Sequence, residues 1–233
     1  MVVLFYFKKG GEGMGQSTKP IKDKKKLMKM QLYLKANHEI AYIYFILAIT
    51  TGYRASDLID LTVIDVKKAI KKKAFCIVEK KRENLRRSKM LLKKEDEFSD
   101  AAFKKTVKPR IAQIGDTTIK ILQEFIKDKN DWEYVFPSPK GYNHFSIRRM
   151  GVIINEAAEK CGIDFCVANH GLRKTYGYIT YEKLCQKKDP IYALLMVQEN
   201  LMHSTPEITK RYIGLEEEDN EMIVNCLDEL ITE

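Results

Sequence analysis

The chain has 233 residues, 45% of them hydrophobic, enough apolar material for one sizeable core rather than two full domains. Its five cysteines are odd in number and form no C-x-x-C pair, so they indicate neither a disulfide framework nor a zinc site and fit a reducing cytoplasm. The longest apolar stretch, Ile40 to Thr50, is too short to cross a bilayer and no signal-peptide pattern occurs, which argues against membrane insertion and secretion.

The net charge of +9 is unevenly spread, because residues 216–233 carry eight acids and no Lys or Arg. Over residues 1–215 the 41 basic side chains face only 24 acidic ones, a balance of +17. Such a body attracts polyanions, DNA first among them. A lysine-rich solvated surface has the same composition, so charge alone does not decide.

Residues 1–18 have no periodic continuation and read as an uninformative leader. From Pro20 to Asn37 the pattern predicts a lysine-rich helix, and a second helix follows from Glu39 to Thr51. Gly52 suits its C-cap, where positive φ is needed, so Arg54 is expected in the turn before a short helix at Ser56 to Leu61. Lys67 to Lys73 reads as a charged turn. Ala74 to Glu79 and Lys108 to Ile114 read as strands, separated by a basic insertion over about 82–104.

Thr117 to Lys127 is amphipathic, Val135 to Pro139 is a closing turn, and Ser146 caps a helix running to Cys161. Asn169 is the expected N-cap of the next helix, which sets His170 and Arg173 side by side at its start, where backbone N–H groups favour anions. After Pro190, Tyr192 to Leu201 is helical. Ser204-Thr205-Pro206-Glu207 marks a new helix start by its capping-box pattern and its proline near N1. His203 then precedes that helix, Tyr212 lies about two turns into it, and Gly214 stops it. An acidic amphipathic helix is expected over about 217–232.

Three segments carry the chemistry: Thr51-Gly52-Tyr53-Arg54, His170-Gly171-Leu172-Arg173, and Leu201 to Tyr212. Two guanidiniums can clamp a phosphoryl group, two imidazoles can hydrogen-bond it or move its protons, and a phenol can bond covalently to phosphorus. Taken singly, each residue is ordinarily a surface arginine, a capping histidine or a packing tyrosine. Packing gives no reason for these types to recur in this order beside helix starts.

In order and spacing the segments resemble the tyrosine recombinase (phage integrase) family, and the likeness runs from Lys19 to about Asn225. It is closest to short integrases of low-GC Gram-positive bacteria. The resemblance implies an α+β fold, a mainly α-helical catalytic domain with a small antiparallel β-sheet, over residues 19–233. It also implies that Tyr212 attacks a DNA phosphate, leaving a 3′-phosphotyrosyl bond and a free 5′-hydroxyl, without ATP, metal or other cofactor. Arg54 and Arg173 would hold the non-bridging oxygens, His170 would help deprotonate the phenol, and His203 would hydrogen-bond the phosphate. Lys105, in Lys105-Thr106-Val107-Lys108-Pro109-Arg110, would protonate the departing oxygen, with Lys81 the alternative.

Lys81, Lys108, Arg110, Arg148 and Arg149 are expected DNA contacts. Partners implied by the likeness are double-stranded DNA, further copies in a tetramer on DNA, and accessory DNA-bending proteins. Tyr53 and Met202 stand where Leu and Gly are more usual, changes expected to alter packing more than chemistry. The helical domain that usually closes the clamp is expected to be missing, with Lys22, Lys24, Lys25, Lys26, Lys29 and the insertion compensating by phosphate contacts. Two further readings stay open, a type IB topoisomerase and a catalytically silent DNA-binding regulator. Asp57 either orients Arg54 or complements a helix N-terminus.

Overall fold

The computed structural model describes residues 17–92, 107–139, 141 and 143–228 and, within 89–92, the backbone alone. The elements run α1 (Lys24–Asn37), α2 (Glu39–Thr51), α3 (Ala55–Leu58), α4 (Val63–Lys72), β1 (Ala74–Ile77), α5 (Lys80–Leu92) and β2 (Arg110–Gln113), followed by α6 (Asp116–Ile126), α7 (Ile147–Lys160), α8 (Ala168–Cys185), α9 (Pro190–Leu201), α10 (Pro206–Tyr212) and α11 (Leu215–Asp228). The strands pair antiparallel, Ala74 opposite Gln113 and Ile77 opposite Arg110. This is the expected α+β architecture, mainly helical with a small sheet.

Helix α2 is apolar all round because it lies inside: Ala41 through Ala48 are buried without a break. Helices α1, α7, α8 and α6 pack on it, and their apolar stripes, including Met30, Leu34, Leu122, Ile154 and Leu172, complete one core. Among the described residues no helix is long and apolar enough to cross a membrane. Val197, Leu201 and Ile213 form a second, smaller cluster that seats α9 and the end of α10 on α8.

Several expectations are corrected. The charged turn at Lys67 to Lys73 is helix α4, closed by a Thr62/Asp65 capping box and burying Val63, Val66 and Ala69 beneath its lysines. The start of the basic insertion is helix α5, whose first amide, on Lys80, donates to Asp57 Oδ1 at 3.0 Å. Asp57 thus complements a helix N-terminus, that of α5. Helix α1 begins at Lys24, capped by Asp23, while Ile21 runs before it with its N–H donating to Thr175 Oγ1 at 2.8 Å. At α8 the N-cap position is Val167, and Asn169 instead donates to the Ile147 carbonyl at 2.8 Å. The helix start expected at Ser204 to Glu207 is found, with Thr205 capping α10 by accepting from the Ile208 amide.

Gly52 ends α2 as expected, at φ +62°. A β-carbon there would lie 2.2 Å from the Tyr176 ring. Both constraints act on one residue, so Gly52→Ala is expected to lower the unfolding free energy by about 3 kcal/mol, combining left-handed strain with overpacking. Urea titration of the two proteins measures it; equal midpoints contradict the assignment.

Candidate active site

Arg54, His170, Arg173, His203 and Tyr212 come together, although they lie on four separate segments. The turn after α2 delivers Arg54, the first turns of α8 deliver His170 and Arg173, the α9–α10 link delivers His203, and Tyr212 closes α10. The Tyr212 ring sits edge-on between the two imidazoles, with centroids 5.6 Å from His170 and 4.8 Å from His203. Its hydroxyl oxygen is shut off from solvent and has no close hydrogen-bond partner among the described residues.

Beneath these groups lies a residue that sequence reasoning missed. Glu79, with 0% exposure, follows β1 and places Oε2 against Arg54 Nη1 and Oε1 3.2 Å from Arg173 Nη1. A third guanidinium, that of Arg110, stands 3.9 Å from the same carboxylate. No local motif announces Glu79, because a lone acid at the end of an expected strand, beside a basic run, reads as solvated surface.

Two helix ends complete the arrangement. At the end of α2, the Gly52 carbonyl accepts from Arg173 and the Thr51 carbonyl from Arg110 at 2.5 Å. At the end of α9, the Leu201 carbonyl accepts from Arg173 at 2.8 Å and the Asn200 carbonyl from Arg110 at 2.6 Å. These are the carbonyls a helix leaves unpaired, and they carry the negative end of its dipole. Buried guanidiniums are therefore met by a carboxylate and by two helix C-termini.

Arg110, expected on DNA, is 3% exposed and internal. Its guanidinium lies 4.5 Å from the Tyr53 ring centroid, and the Tyr53 hydroxyl donates to the Arg110 carbonyl at 2.5 Å. Tyr53 thereby ties the Arg54 turn to the sheet, a packing role as expected. Met202 occupies φ +54°, which accounts for glycine being usual there, and its sulfur accepts from Arg82 Nη1 at 3.4 Å.

Lys81, Lys108, Arg148 and Arg149 are exposed, and the Asn169–Ile147 bond brings the start of α7, with its two arginines, to the His170 end of α8. Lys105 lies outside the described residues. Of the N-terminal lysines expected on DNA, Lys22 pairs with Glu218 at 2.8 Å and Lys24 with Glu182 at 2.8 Å. Lys174, not singled out by sequence, sets its ammonium 5.5 Å from the Tyr212 ring centroid.

The electrostatics follow from this crowding of positive charge. Burial, then Arg173, Arg54 and Lys81, lower the His203 pKa to about 4, and the same kinds of cause lower that of His170, much of whose surface is nonetheless open. Burial pushes the Tyr212 phenol up, while Arg173 and Arg54 pull it back. His203 Nδ1 lies 3.1 Å from Thr209 Oγ1, which leaves Nε2 for a further partner. The cluster offers neutral imidazoles, guanidinium donors and a protonated phenol in one place, a set suited to a phosphodiester.

Comparison with known proteins agrees. Residues 21–219 match the phage integrase family, most of the chain. The chain belongs to that family. It is 29% identical over 199 residues to the "Probable integrase/recombinase YoeC" of Bacillus subtilis (strain 168), covering 85% of this chain and 91% of that protein. Two solved structures share the integrase fold: XerA recombinase, with TM-score 0.58 at 17% identity over 91% of this chain and 67% of that one, and XerH site-specific recombinase bound to palindromic difH substrate, with TM-score 0.54 at 16% identity over 91% and 54%. A lambda integrase dimer bound to a COC' core site gives 0.55 at 12% identity over 87% and 49%. The chain thus spans from about half to two-thirds of the length of these structures.

The lowered histidine pKa values make stability pH-dependent. Unfolded His203 takes up a proton near its ordinary 6.5, whereas the folded protein resists until about 4. The unfolded state therefore binds more protons in that window, and stability is complete above it and falls as pH drops through it. Melting temperatures of the DNA-free protein between pH 7.5 and 5 should decline, and less steeply in His203→Gln; parallel curves would contradict the assignment.

Proposed function

We propose that the protein is a site-specific DNA recombinase that cuts and rejoins strands through Tyr212. One observation carries this reading: the phenol stands between His170 and His203, above two guanidiniums already held together. The Tyr212 oxygen attacks a backbone phosphorus, the bond to the 5′-oxygen breaks, and a 3′-phosphotyrosyl ester and a 5′-hydroxyl remain. Remaining N–H donors of Arg54 and Arg173 meet the non-bridging oxygens as charge builds on them. His170, kept neutral, accepts the phenolic proton, and His203 donates to the phosphate.

A lysine between the two strands protonates the leaving 5′-oxygen. Lys105 is the motif's choice, and Lys81 is supported by the reach of its charge to both histidines. The new ester retains the energy of the bond it replaces, so a 5′-hydroxyl from another strand reverses the step with neither ATP nor metal. Exchange between two duplexes needs several copies, a tetramer on double-stranded DNA, and accessory DNA-bending proteins suit the same assembly. Arg148 and Arg149 at the α7 start and Lys108 supply backbone contacts, each adding about one unit to the salt dependence of binding.

A nicked suicide duplex carrying the protein's own recombination site tests the reading. A covalent adduct is expected with the wild type and none with Tyr212→Phe, while Arg54→Ala slows its formation by roughly 100- to 1,000-fold. Persistence of the adduct in Tyr212→Phe rules out this nucleophile. Relaxation of a plasmid without paired sites would favour a topoisomerase instead.

A further inference from the structure

We propose that Glu79 is a positioning residue for strand cleavage: its carboxylate locks Arg54 and Arg173 side by side, so that their remaining N–H donors face the scissile phosphate before DNA arrives. The inference rests on the phosphotyrosyl reading above. Each carboxylate oxygen takes a different arginine, Oε2 that of Arg54 and Oε1 that of Arg173. Arg173 is committed further, through Nη1 to the Gly52 carbonyl and Nη2 to the Leu201 carbonyl, which leaves Nε and one Nη2 hydrogen for substrate. Arg54 keeps donors at Nε and Nη2, and its side chain is 18% exposed where that of Glu79 is 0%.

The main chain that carries the carboxylate is anchored from behind, and the carboxylate itself is fully buried between its arginines. The Glu79 carbonyl accepts from the Arg82 and Glu83 amides at 2.9 and 3.1 Å, opening α5, while Asp57 holds the neighbouring Lys80 amide at 3.0 Å. Displacing the Glu79 main chain would unravel that first turn, so the backbone holds the carboxylate's base in place. A carboxylate so fixed gives each guanidinium one orientation, and alignment of this kind is where rate is gained or lost.

Glu79→Gln keeps the shape and removes the charge; Glu79→Asp keeps the charge and retracts it by a methylene. For both, binding to intact site DNA should hold, while the rate of adduct formation from the bound suicide duplex falls, by about 100-fold in the Gln variant. Unchanged or faster cleavage in a folded variant overturns the proposal, faster cleavage marking Glu79 as a competitor of phosphate. A second readout needs no catalysis. Side-chain NMR of the DNA-free wild type, assigned with Arg54→Lys and Arg173→Lys, should show hindered guanidinium rotation at both arginines, and Glu79→Gln should free Arg54. Freely rotating guanidiniums in the wild type overturn the clamp. A wild type that forms no adduct defeats the phosphotyrosyl reading alone, and the NMR experiment then decides the clamp by itself.

Discussion

Three guanidiniums share one buried carboxylate, and the rest of the site is built around making that tolerable. Burying cations requires partners of opposite sign or polarity, since removing an ion from water costs several kcal/mol that only good geometry offsets. Glu79 supplies one full charge to Arg54, Arg173 and, at longer range, Arg110. The balance comes from carbonyls at the ends of α2 and α9. The two helices must therefore stop where they do. Gly52 and Met202, the residues at positive φ that end them, are part of the electrostatics as much as of the fold. Burial, reinforced by the residual positive charge, keeps the two histidines neutral.

Tyr212 is governed by the same charge. Its phenol is enclosed, which raises its pKa, and faces arginines that lower it. The two influences oppose each other, so any gain in nearby positive potential, or an acceptor for the proton, shifts the balance towards the nucleophilic phenolate. The α10 cap and proline fix the start of the helix, and the buried Thr209 links it to His203. A short helix held at its beginning and by Ile213 at its end places the ring, while α11, which buries no residue fully, adds Leu215 at the edge of the same cluster.

Much of this was legible in the chain. Gly52, Ser146 and Pro206 act where their backbone preferences put them, and the five catalytic candidates converge as their order suggested. Helix α4 was missed although Thr62 and Asp65 form a capping box, because its lysines dominate the composition while its buried face is only Val63, Val66 and Ala69. Arg110 was misread because an arginine in a basic hairpin looks like a phosphate contact until Tyr53, Thr51 and Asn200 are seen around it. Glu79 left no trace at all. Its role exists only through partners 25 and 94 residues away, a separation that no periodicity or cap records.

The acidic helix α11 shows how the basic body manages its own charge. Glu217 and Glu218 reach Lys19 and Lys22 on the segment before α1, while Asp219 and Glu216 pair with Lys210 and Arg211 on α10. Exposed pairs of this kind contribute about 0–1 kcal/mol each and weaken with salt. Four such pairs, with the Tyr178 hydroxyl donating to Glu218 at 3.0 Å, hold the helix by addition rather than by any strong contact. Its Met222, Ile223, Val224 and Leu227 stay exposed, so apolar burial contributes to the attachment only through Leu215 at its start. Lys19 and Lys22, part of the basic surface, are thereby neutralised by the acids of this helix, and because each pair is weak and partly exposed the neutralisation is readily lost as salt rises.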